Sequence, residues 1–216
     1  MTAGFDPALI PAAPTLEYEQ ALWQQGKRLV AGLDEAGRGA LAGPIYAAAV
    51  VLPYDDPKVS EKLSGVRDSK QLTPKEREKF APVIREMAIA WGLGWGEAAE
   101  IDRIGIAKAG RVAFVRALEA LGTQPDHLLL DYFALPEAEL GQTALVKGDQ
   151  RSLSIACASI LAKTARDEVM RTAGERFQGY GFGCNKGYGT LKHRRAITEL
   201  GPCALHRRSF RLVGEN

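Results

Sequence analysis

Residues 28–39 read RLVAGLDEAGRG, an apolar run that ends in two adjacent acids and a glycine-rich turn. The apolar part, 28–34, has the length and composition of a β-strand, and a second apolar run, IYAAAVVL, follows at 45–52. We therefore expect two antiparallel strands of one sheet, with Asp34 and Glu35 at the point where the first strand meets its turn.

Helix and strand signals alternate in the remainder of the chain. Thr73, Pro74 and Glu76 have the spacing of an N-cap, a first-turn proline and a capping-box acid, so a helix is predicted to begin there. Antiparallel strands followed by alternating helices and strands predict an α/β protein, with a mixed sheet that has helices on its faces. The other predicted elements are strands at 87–95, 127–131 and, with a weaker signal, 144–146, and helices at 106–121 and 152–177.

The length and composition are those of one globular domain. The chain has 216 residues, is 46% hydrophobic and 25% charged, and is long enough to bury a core. Residues 1–26 are predicted to be a loosely ordered, proline-containing tail over 1–15 and a short helix at 16–25 that ends at Gly26. The domain proper is predicted to span 27–216.

Cysteine use and hydropathy predict a cytoplasmic protein with no membrane association. Cys157, Cys184 and Cys203 are odd in number and too widely spaced for a disulfide framework or a zinc knuckle. A reducing compartment is the simpler expectation. The longest apolar stretch, 40–53, is too short to span a bilayer of about 30 Å, and the N-terminus has no signal-peptide pattern.

Acidic residues end or follow three of the predicted strands. Asp34 and Glu35 end the first, Asp131 closes the strand at 127–131, and Asp149 follows the weak strand signal. Neighbours on a strand point to opposite faces, so a cation near the backbone would explain why Asp34 and Glu35 are adjacent. Four such acids suit a site for two metal ions about 4 Å apart that catalyses phosphoryl transfer. The alternatives are a surface ion pair at the first two acids and a helix cap at Asp149.

A basic segment that contains glycine lies near the C-terminus. Between 186 and 211 the only acid is Glu199, and such a segment can neutralise nucleic-acid phosphates, with a solvated surface as the alternative. Within it, KGYGT at 186–190 presents Tyr188 as an aromatic ring that can stack on a sugar or base. The formal net charge is only +2, so nucleic-acid binding would depend on local charge. The basic residues are Lys186, Lys192, Arg194, Arg195, Arg207, Arg208 and Arg211.

Two other places are candidates for contact with a nucleic acid. Gly37 and Gly39 would let a nucleic-acid backbone approach the peptide around Arg38. Lys70 precedes a predicted helix and can contact phosphate, with a plain turn as the alternative.

Further polar residues are interpreted as structural. Asp167 and Glu168 lie late in the long helix and are expected to be solvated or paired with Arg166 or Arg171. The histidines lack the spacing of metal ligands and are expected to be ordinary polar residues: His127, His193 and His206.

Six segments, in the usual order, resemble the ribonuclease HII family. They are DEAGRG at 34–39, DSKQL at 68–72, LLLD at 128–131, KGD at 147–149, SIACASILAKTARD at 154–167 and KGYGT at 186–190. The resemblance implies a ribonuclease H-like fold, with a five-stranded mixed sheet flanked by helices and a small helical C-terminal appendage. One departure is Tyr132, where the family often has glycine.

The resemblance also implies an activity. A family member would hydrolyse the RNA strand of RNA–DNA hybrids and cut on the 5′ side of single ribonucleotides in duplex DNA, with Mg²⁺ or Mn²⁺ as cofactor, in ribonucleotide excision repair. No histidine base is needed, because the metal lowers the pKa of the attacking water. A monomer is the default expectation. The catalytic, metal-binding acids would be Asp34, Glu35, Asp131 and Asp149, and the substrate-binding residues Gly37, Arg38, Gly39, Lys70 and Tyr188.

Three rival interpretations differ in class or specificity. Ribonuclease HIII carries an added N-terminal substrate-binding domain, for which too few residues precede Leu29. A catalytically silent hybrid-binding module would be expected to lack one of the clustered acids, and all four are present. A DNA-directed nuclease of the same superfold is not excluded by fold.

Overall fold

A five-stranded mixed sheet forms the centre of the computed structural model, which describes residue 6 and residues 10–212. The strand order is β3-β2-β1-β4-β5; β1 pairs antiparallel with β2, and β2 with β3, whereas β4 lies parallel to β1 and to β5. The predicted α/β class and mixed sheet are therefore confirmed. The strands are β1 (Val30–Ala36), β2 (Ile45–Val51), β3 (Ala90–Gly96), β4 (His127–Asp131) and β5 (Gly141–Leu145).

Helices cover both faces of the sheet. The α6 face carries a core that includes Val50 and Ile160, and the α5 face carries one that includes Leu33 and Phe114. Gly105, at φ 81°, separates α5 from α4, a short helix that the sequence pattern did not predict. The α-helices in the described residues are α1 (Glu17–Trp23), α2 (Val59–Lys62), α3 (Pro74–Met87), α4 (Ala98–Ile104), α5 (Ile106–Glu119), α6 (Leu153–Arg176), α7 (Phe182–Asn185) and α8 (Leu191–Leu200).

Side-chain caps determine where two of the helices begin. The Thr73 hydroxyl accepts a hydrogen bond from the Glu76 N–H, and the Glu76 carboxylate accepts one from the Thr73 N–H, so the predicted capping box is confirmed. The Ser152 hydroxyl caps α6 by accepting from the Ile155 N–H at 3.3 Å. Asp149 instead lies in the short 3-10 turn Gly148–Gln150, so the alternative that it caps α6 is wrong.

The first turn of α6 lies directly against β1 at Gly32. A Cβ atom at Gly32 would lie 2.3 Å from the Ser154 carbonyl carbon, so this contact requires glycine. The close approach presses the start of α6 onto the strand that carries Asp34 and Glu35. It therefore helps to set the position of the two acids relative to the helix.

The N-terminal segment is tied to the start of α6. The predicted helix is present as α1, and Gly26, at φ 82°, follows it. Glu19 of α1 is buried and accepts hydrogen bonds from the hydroxyls of Ser152 and Ser154, both at 2.6 Å. Thr15 forms a parallel bridge with Ser152, so the predicted loose order does not extend to this residue, and residues 1–5 and 7–9 lie outside the described residues. The predicted boundary between 26 and 27 stays a prediction.

The C-terminal part forms a small helical layer beside the turn that follows β1. It packs around Phe182, Ile197 and Met170. After α8 the chain returns to residues 41–43, where the Arg207 N–H donates to the Leu41 carbonyl and the Gly43 N–H donates to the Leu205 carbonyl. The predicted appendage is confirmed. No helix in the part of the chain that the structure describes is long and apolar enough to cross a membrane.

Candidate active site

Asp34 and Asp131 lie on neighbouring parallel strands at the same edge of the sheet. Leu33 of β1 is in register with Leu130 of β4, and the two acids come next along their strands. Asp34 is only 3% exposed, whereas Glu35 and Asp131 are partly exposed. The sheet register therefore brings three of the four predicted acids to one edge.

The 3-10 turn after β5 brings the fourth acid, Asp149, to the same edge. The Gly148 N–H donates to Oδ1 of Asp131 at 2.7 Å, which fixes the turn against β4. Asp149 is buried, and its Oδ2 lies 3.6 Å from Nζ of Lys70. The Lys70 side chain is 74% exposed and also lies 4.0 Å from Oδ1 of Asp68, so this ion pair is open to solvent.

Burial and mutual repulsion disfavour the charged forms of the clustered acids. Burial, and then the charges of Glu35 and Asp131, raise the pKa of Asp34 well above its usual value. Burial, followed by the charges of Asp131 and Asp68, raises the pKa of Asp149 to about 7. Oδ2 of Asp34 and Oδ1 of Asp149 are buried and accept no hydrogen bond. Buried carboxylate oxygens without partners are costly unless a cation neutralises them.

These acids fit hard divalent cations such as Mg²⁺ or Mn²⁺, which prefer carboxylate oxygens. The unpartnered oxygens of Asp34 and Asp149 supply donor atoms that form no hydrogen bond with any residue the structure describes. Among residues 6 and 10–212, however, no three His, Cys, Asp or Glu side chains already stand in position to hold one ion together. Ion binding would thus require the carboxylates to draw closer, and the positive charge of the ion would offset their repulsion.

A buried arginine, Arg166, packs against the turn at 37–39. Gly37 has φ 93°, and a Cβ atom there would lie 1.9 Å from Nε of Arg166. The Arg166 guanidinium donates to the carbonyls of Pro44 at 2.8 Å, Ala42 at 3.1 Å and Lys186 at 2.9 Å. Gly37 is therefore required both by its backbone conformation and by the packing of Arg166.

A second buried arginine, Arg207, contacts the same turn. It donates to the carbonyls of Arg38 at 2.9 Å and Gly43 at 3.0 Å, and it is fully buried. Arg207 therefore does not belong to the solvent-facing basic segment in which the sequence placed it. Burial, and then the charge of Arg166, lower the pKa of Arg207 to about 9.

The expectation for Asp167 is wrong, whereas that for Glu168 is confirmed, because Glu168 forms an ion pair with Arg171. Asp167 accepts from Arg77 at 3.1 Å and from Lys163 at 2.5 Å, and Arg166 points instead to backbone carbonyls. The long helix α6 was predicted, but sequence spacing gave no signal that Arg166 would be buried and would hold two loops together. Only the tertiary contacts define that role.

Tyr188 lies beside this turn and at the edge of a groove lined by charged residues. The Leu41 N–H donates to the Gly187 carbonyl at 2.8 Å, which joins the two loops. The Tyr188 ring is partly exposed, with Nζ of Lys163 at 5.4 Å and Cζ of Arg166 at 5.3 Å from its centroid. The adjoining groove has a volume of about 720 Å³ and is lined by both cations and acids: Arg77, Lys163, Arg171 and Lys186, with Glu78, Asp167 and Glu168. The ring at its edge can stack on a base or sugar of a nucleic-acid strand.

A mixed sheet of this topology, with acids clustered at one edge beside a glycine turn, is the architecture of the ribonuclease H-like class of nucleases. The family model for ribonuclease HII matches residues 31–213, and the chain belongs to that family. The resemblance seen in the sequence is thereby confirmed. The chain is a ribonuclease H, an endonuclease that hydrolyses phosphodiester bonds, of a family that acts on RNA–DNA hybrids and uses divalent metal ions.

Relatives of known sequence and structure agree with this assignment. Ribonuclease HII of a Synechococcus strain is 56% identical over 200 residues, covering 91% of this chain and 88% of the relative. That of Moorella thermoacetica is 52% identical over 194 residues, covering 90% of this chain and 92% of the relative. The solved ribonuclease H2 of Pyrococcus horikoshii has a TM-score of 0.70 at 27% identity, covering 85% of this chain and 94% of that one.

Proposed function

We propose that the chain cuts the RNA strand of RNA–DNA hybrids and cuts on the 5′ side of single ribonucleotides in duplex DNA. The products would carry 5′-phosphate and 3′-hydroxyl ends, and the biological role would be ribonucleotide excision repair. One observation supports this most: four acids at one sheet edge lie next to a glycine turn, and Leu41 and Ala42, shortly after that turn, donate hydrogen bonds to the Gly187 carbonyl of the Tyr188 loop. Cleavage and recognition of the ribonucleotide would then take place at the same site.

The four acids would hold two divalent ions, Mg²⁺ or Mn²⁺. When bound, the ions would supply the acidity that activates a water and the positive charge that stabilises the leaving oxygen. Asp34, Asp131 and Asp149 would bind through the carboxylate oxygens that face the shared edge, and Glu35 would bind from the adjacent position on β1. Lys70, close to Asp149, would contact a substrate phosphate.

The glycine turn and Tyr188 would select the ribonucleotide. Arg166 and Arg207 bind carbonyls of the turn and of the segment after it, which holds the backbone of Gly37, Arg38 and Gly39 in one conformation. A preorganised backbone can hydrogen-bond a ribose hydroxyl without first being ordered. The ring of Tyr188 would stack against the sugar at the junction between RNA and DNA. A monomeric state and a cytoplasmic location stay predictions.

The test is cleavage of an end-labelled DNA duplex that contains one ribonucleotide, with Mg²⁺, Mn²⁺ or EDTA, beside an all-DNA duplex. We expect a metal-dependent cut on the 5′ side of the ribonucleotide and no cut in the control. Asp34→Asn should lower the rate by about a hundredfold or more, because it removes a charged metal ligand. Normal cleavage by folded Asp34→Asn, or equal cleavage of the all-DNA duplex, would overturn the proposal.

A further inference from the structure

Two histidines, His193 and His206, are in contact with each other next to the Tyr188 loop. The proposed chemistry does not use them. His193 is in the first turn of α8, and His206 is in the segment that returns to residues 41–43. Both are buried, and both rings pack against Phe182, with centroid separations of 5.4 Å and 5.6 Å. Their Nε2 atoms are 3.1 Å apart, which is a hydrogen-bond distance.

Fixed backbone groups at each end of the pair determine where its protons lie. The Cys203 N–H, which can only donate, lies 2.9 Å from Nδ1 of His206, so this nitrogen must accept. The Tyr188 carbonyl, which can only accept, lies 2.9 Å from Nδ1 of His193, so this nitrogen must carry a proton. Neutral rings then have a proton on Nε2 of His206 and none on Nε2 of His193, which is the arrangement that their contact requires.

The environment favours neutral rings. Burial, and then the charge of its neighbour, lower the pKa of His206 to about 4. Burial also lowers the pKa of His193. The result is a directed chain of hydrogen bonds from the Cys203 N–H, through His206 and His193, to the Tyr188 carbonyl.

The Tyr188 peptide needs an anchor of this kind. Tyr188 lies between Gly187 and Gly189, and glycines leave the backbone free to rotate. Its carbonyl accepts from the Thr190 N–H at 2.8 Å and from His193 at 2.9 Å, so both lone pairs are used. Of these two donors, only His193 connects the loop to the buried interior of the C-terminal layer.

We propose that His193 and His206 are positioning residues that set the orientation of Tyr188 towards the junction. His193 holds the Tyr188 carbonyl, and His206 fixes the tautomer of His193 that can do so. This inference rests on the proposed role of Tyr188 in reading single ribonucleotides. Neither histidine would touch the substrate.

Two variants of His193 separate positioning from packing. The amide of Asn reaches about as far as Nδ1, so His193→Asn keeps a donor for the Tyr188 carbonyl and loses the contact with His206. The amide of Gln reaches about as far as Nε2, so His193→Gln keeps the contact with His206 and loses the link to Tyr188. Each variant gives up one hydrogen bond of the pair, so losses of fold stability should be comparable and can be measured by urea unfolding.

The first readout is the ratio of kcat/KM on a single-ribonucleotide duplex to kcat/KM on a long RNA–DNA hybrid. We expect His193→Gln to lower this ratio by about tenfold, as a misplaced contact does, and His193→Asn to recover most of it. Tyr188→Ala should lower the ratio too, and adding His193→Gln to it should cause no further loss. Equal ratios in the Asn and Gln variants, or additive losses, would overturn the inference.

The second readout is the tautomer itself, from long-range ¹H–¹⁵N spectra of the wild-type protein. We expect the proton on Nδ1 in His193 and on Nε2 in His206; the reverse assignment of either ring would contradict the inference without any activity measurement.

The activity ratios distinguish failure of this inference from failure of the proposed function. If Tyr188→Ala left the ratio unchanged, the proposed role of Tyr188 would fail instead. If Tyr188→Ala lowered the ratio and His193→Gln did not, only the positioning role would fail.

Discussion

Asp34 is buried at a cost to folding, because burial disfavours its charged form. Its Oδ2 accepts no hydrogen bond, and the charges of Glu35 and Asp131 further oppose its ionisation. Such a group destabilises the protein wherever a ligand does not compensate it. The free energy of unfolding of the metal-free protein therefore measures the repulsion among these acids, and no activity assay is needed.

Neutralising this residue should stabilise the metal-free protein. In EDTA, we expect Asp34→Asn to raise the free energy of unfolding by about 1–2 kcal/mol, because it removes one of several buried like charges. Mg²⁺ should raise the Tm of the wild type and have a smaller effect on the variant, since binding to the native state alone stabilises it. Calorimetry with Mg²⁺ and with EDTA measures both effects. A variant that is destabilised in EDTA would show that the acids do not repel one another.

Tyr132 has a strained backbone conformation. It has φ 70°, in the left-handed region that disfavours side chains, and it is 72% exposed, so its ring gains little from packing. Glycine, which the family often has here, would adopt this conformation without strain. The departure noted in the sequence therefore has a structural cost.

We expect Tyr132→Gly to raise the free energy of unfolding by about 1 kcal/mol, since the relief of left-handed strain exceeds the added chain entropy of glycine. Tyr132→Ala is the matched control: it removes the same ring but keeps Cβ and so keeps the strain. Urea unfolding of the three proteins distinguishes the two. A gain in Tyr132→Ala equal to that in Tyr132→Gly would attribute the effect to the ring rather than to the backbone.

At the scale of elements, a buried acid helps to hold helix α1 to the domain, together with the apolar contacts of Tyr18, Leu22 and Trp23. Glu19 accepts from Ser152 and Ser154, and burial raises its pKa above the usual 4.5 despite these bonds. The folded protein thus binds this proton more tightly than the unfolded chain does. Its contribution to stability is present in acid and is lost as pH rises through the folded pKa.

Glu19→Gln should reduce this pH dependence, because Gln keeps an accepting oxygen and has no proton to lose. As pH rises from about 5 to about 8, the wild type should lose the contribution of the Glu19 proton and the variant should not. The free energy of unfolding of the variant, relative to that of the wild type, should therefore increase over this range. Glu17→Gln, on the exposed side of the same helix, is the control and should show no such gain. The measurement is urea unfolding at both pH values; parallel pH profiles for wild type and Glu19→Gln would contradict the expectation.

Elements with local signals were predictable from the sequence, and those that depend on distant partners were not. The capping box at Thr73 and the helix stop at Gly26 involve residues close in sequence, so their patterns were sufficient. Asp149 and Ser152 both suit a helix cap, and only the docking of the 3-10 turn on Asp131 decides between them. Arg166 and the histidine pair gave no local signal, because their partners are distant in sequence or are backbone atoms.

At the scale of the whole molecule, nucleic-acid binding should depend on local positive charge. The net charge is only +2, while Lys192 and Arg195 lie exposed on α8, in the C-terminal layer. Affinity that comes from phosphate neutralisation falls as salt displaces the protein from the counterion atmosphere. The position of these cations, rather than their number, should determine how strongly the hybrid binds.

We expect the affinity of Asp34→Asn for an RNA–DNA hybrid in EDTA to fall by about tenfold or more between 50 and 200 mM salt. Lys192→Gln and Arg195→Gln should each lower the slope of log affinity against log salt by about 0.9 if each contacts one phosphate. Lys58→Gln, an exposed lysine beside α2, is the matched control and should leave the slope unchanged. Fluorescence anisotropy measures these slopes; equal slopes in all variants would place the phosphate contacts elsewhere.

The contacts of Arg207 determine when during synthesis the substrate turn can form. Arg207 binds the Gly43 carbonyl across 164 residues of chain and the Arg38 carbonyl across 169. A chain made from its N-terminus acquires all four acids well before it acquires this arginine. A partly made chain therefore has its acids but lacks the clamp that orders the turn, so the turn would reach its ordered conformation only after Arg207 has emerged from the ribosome.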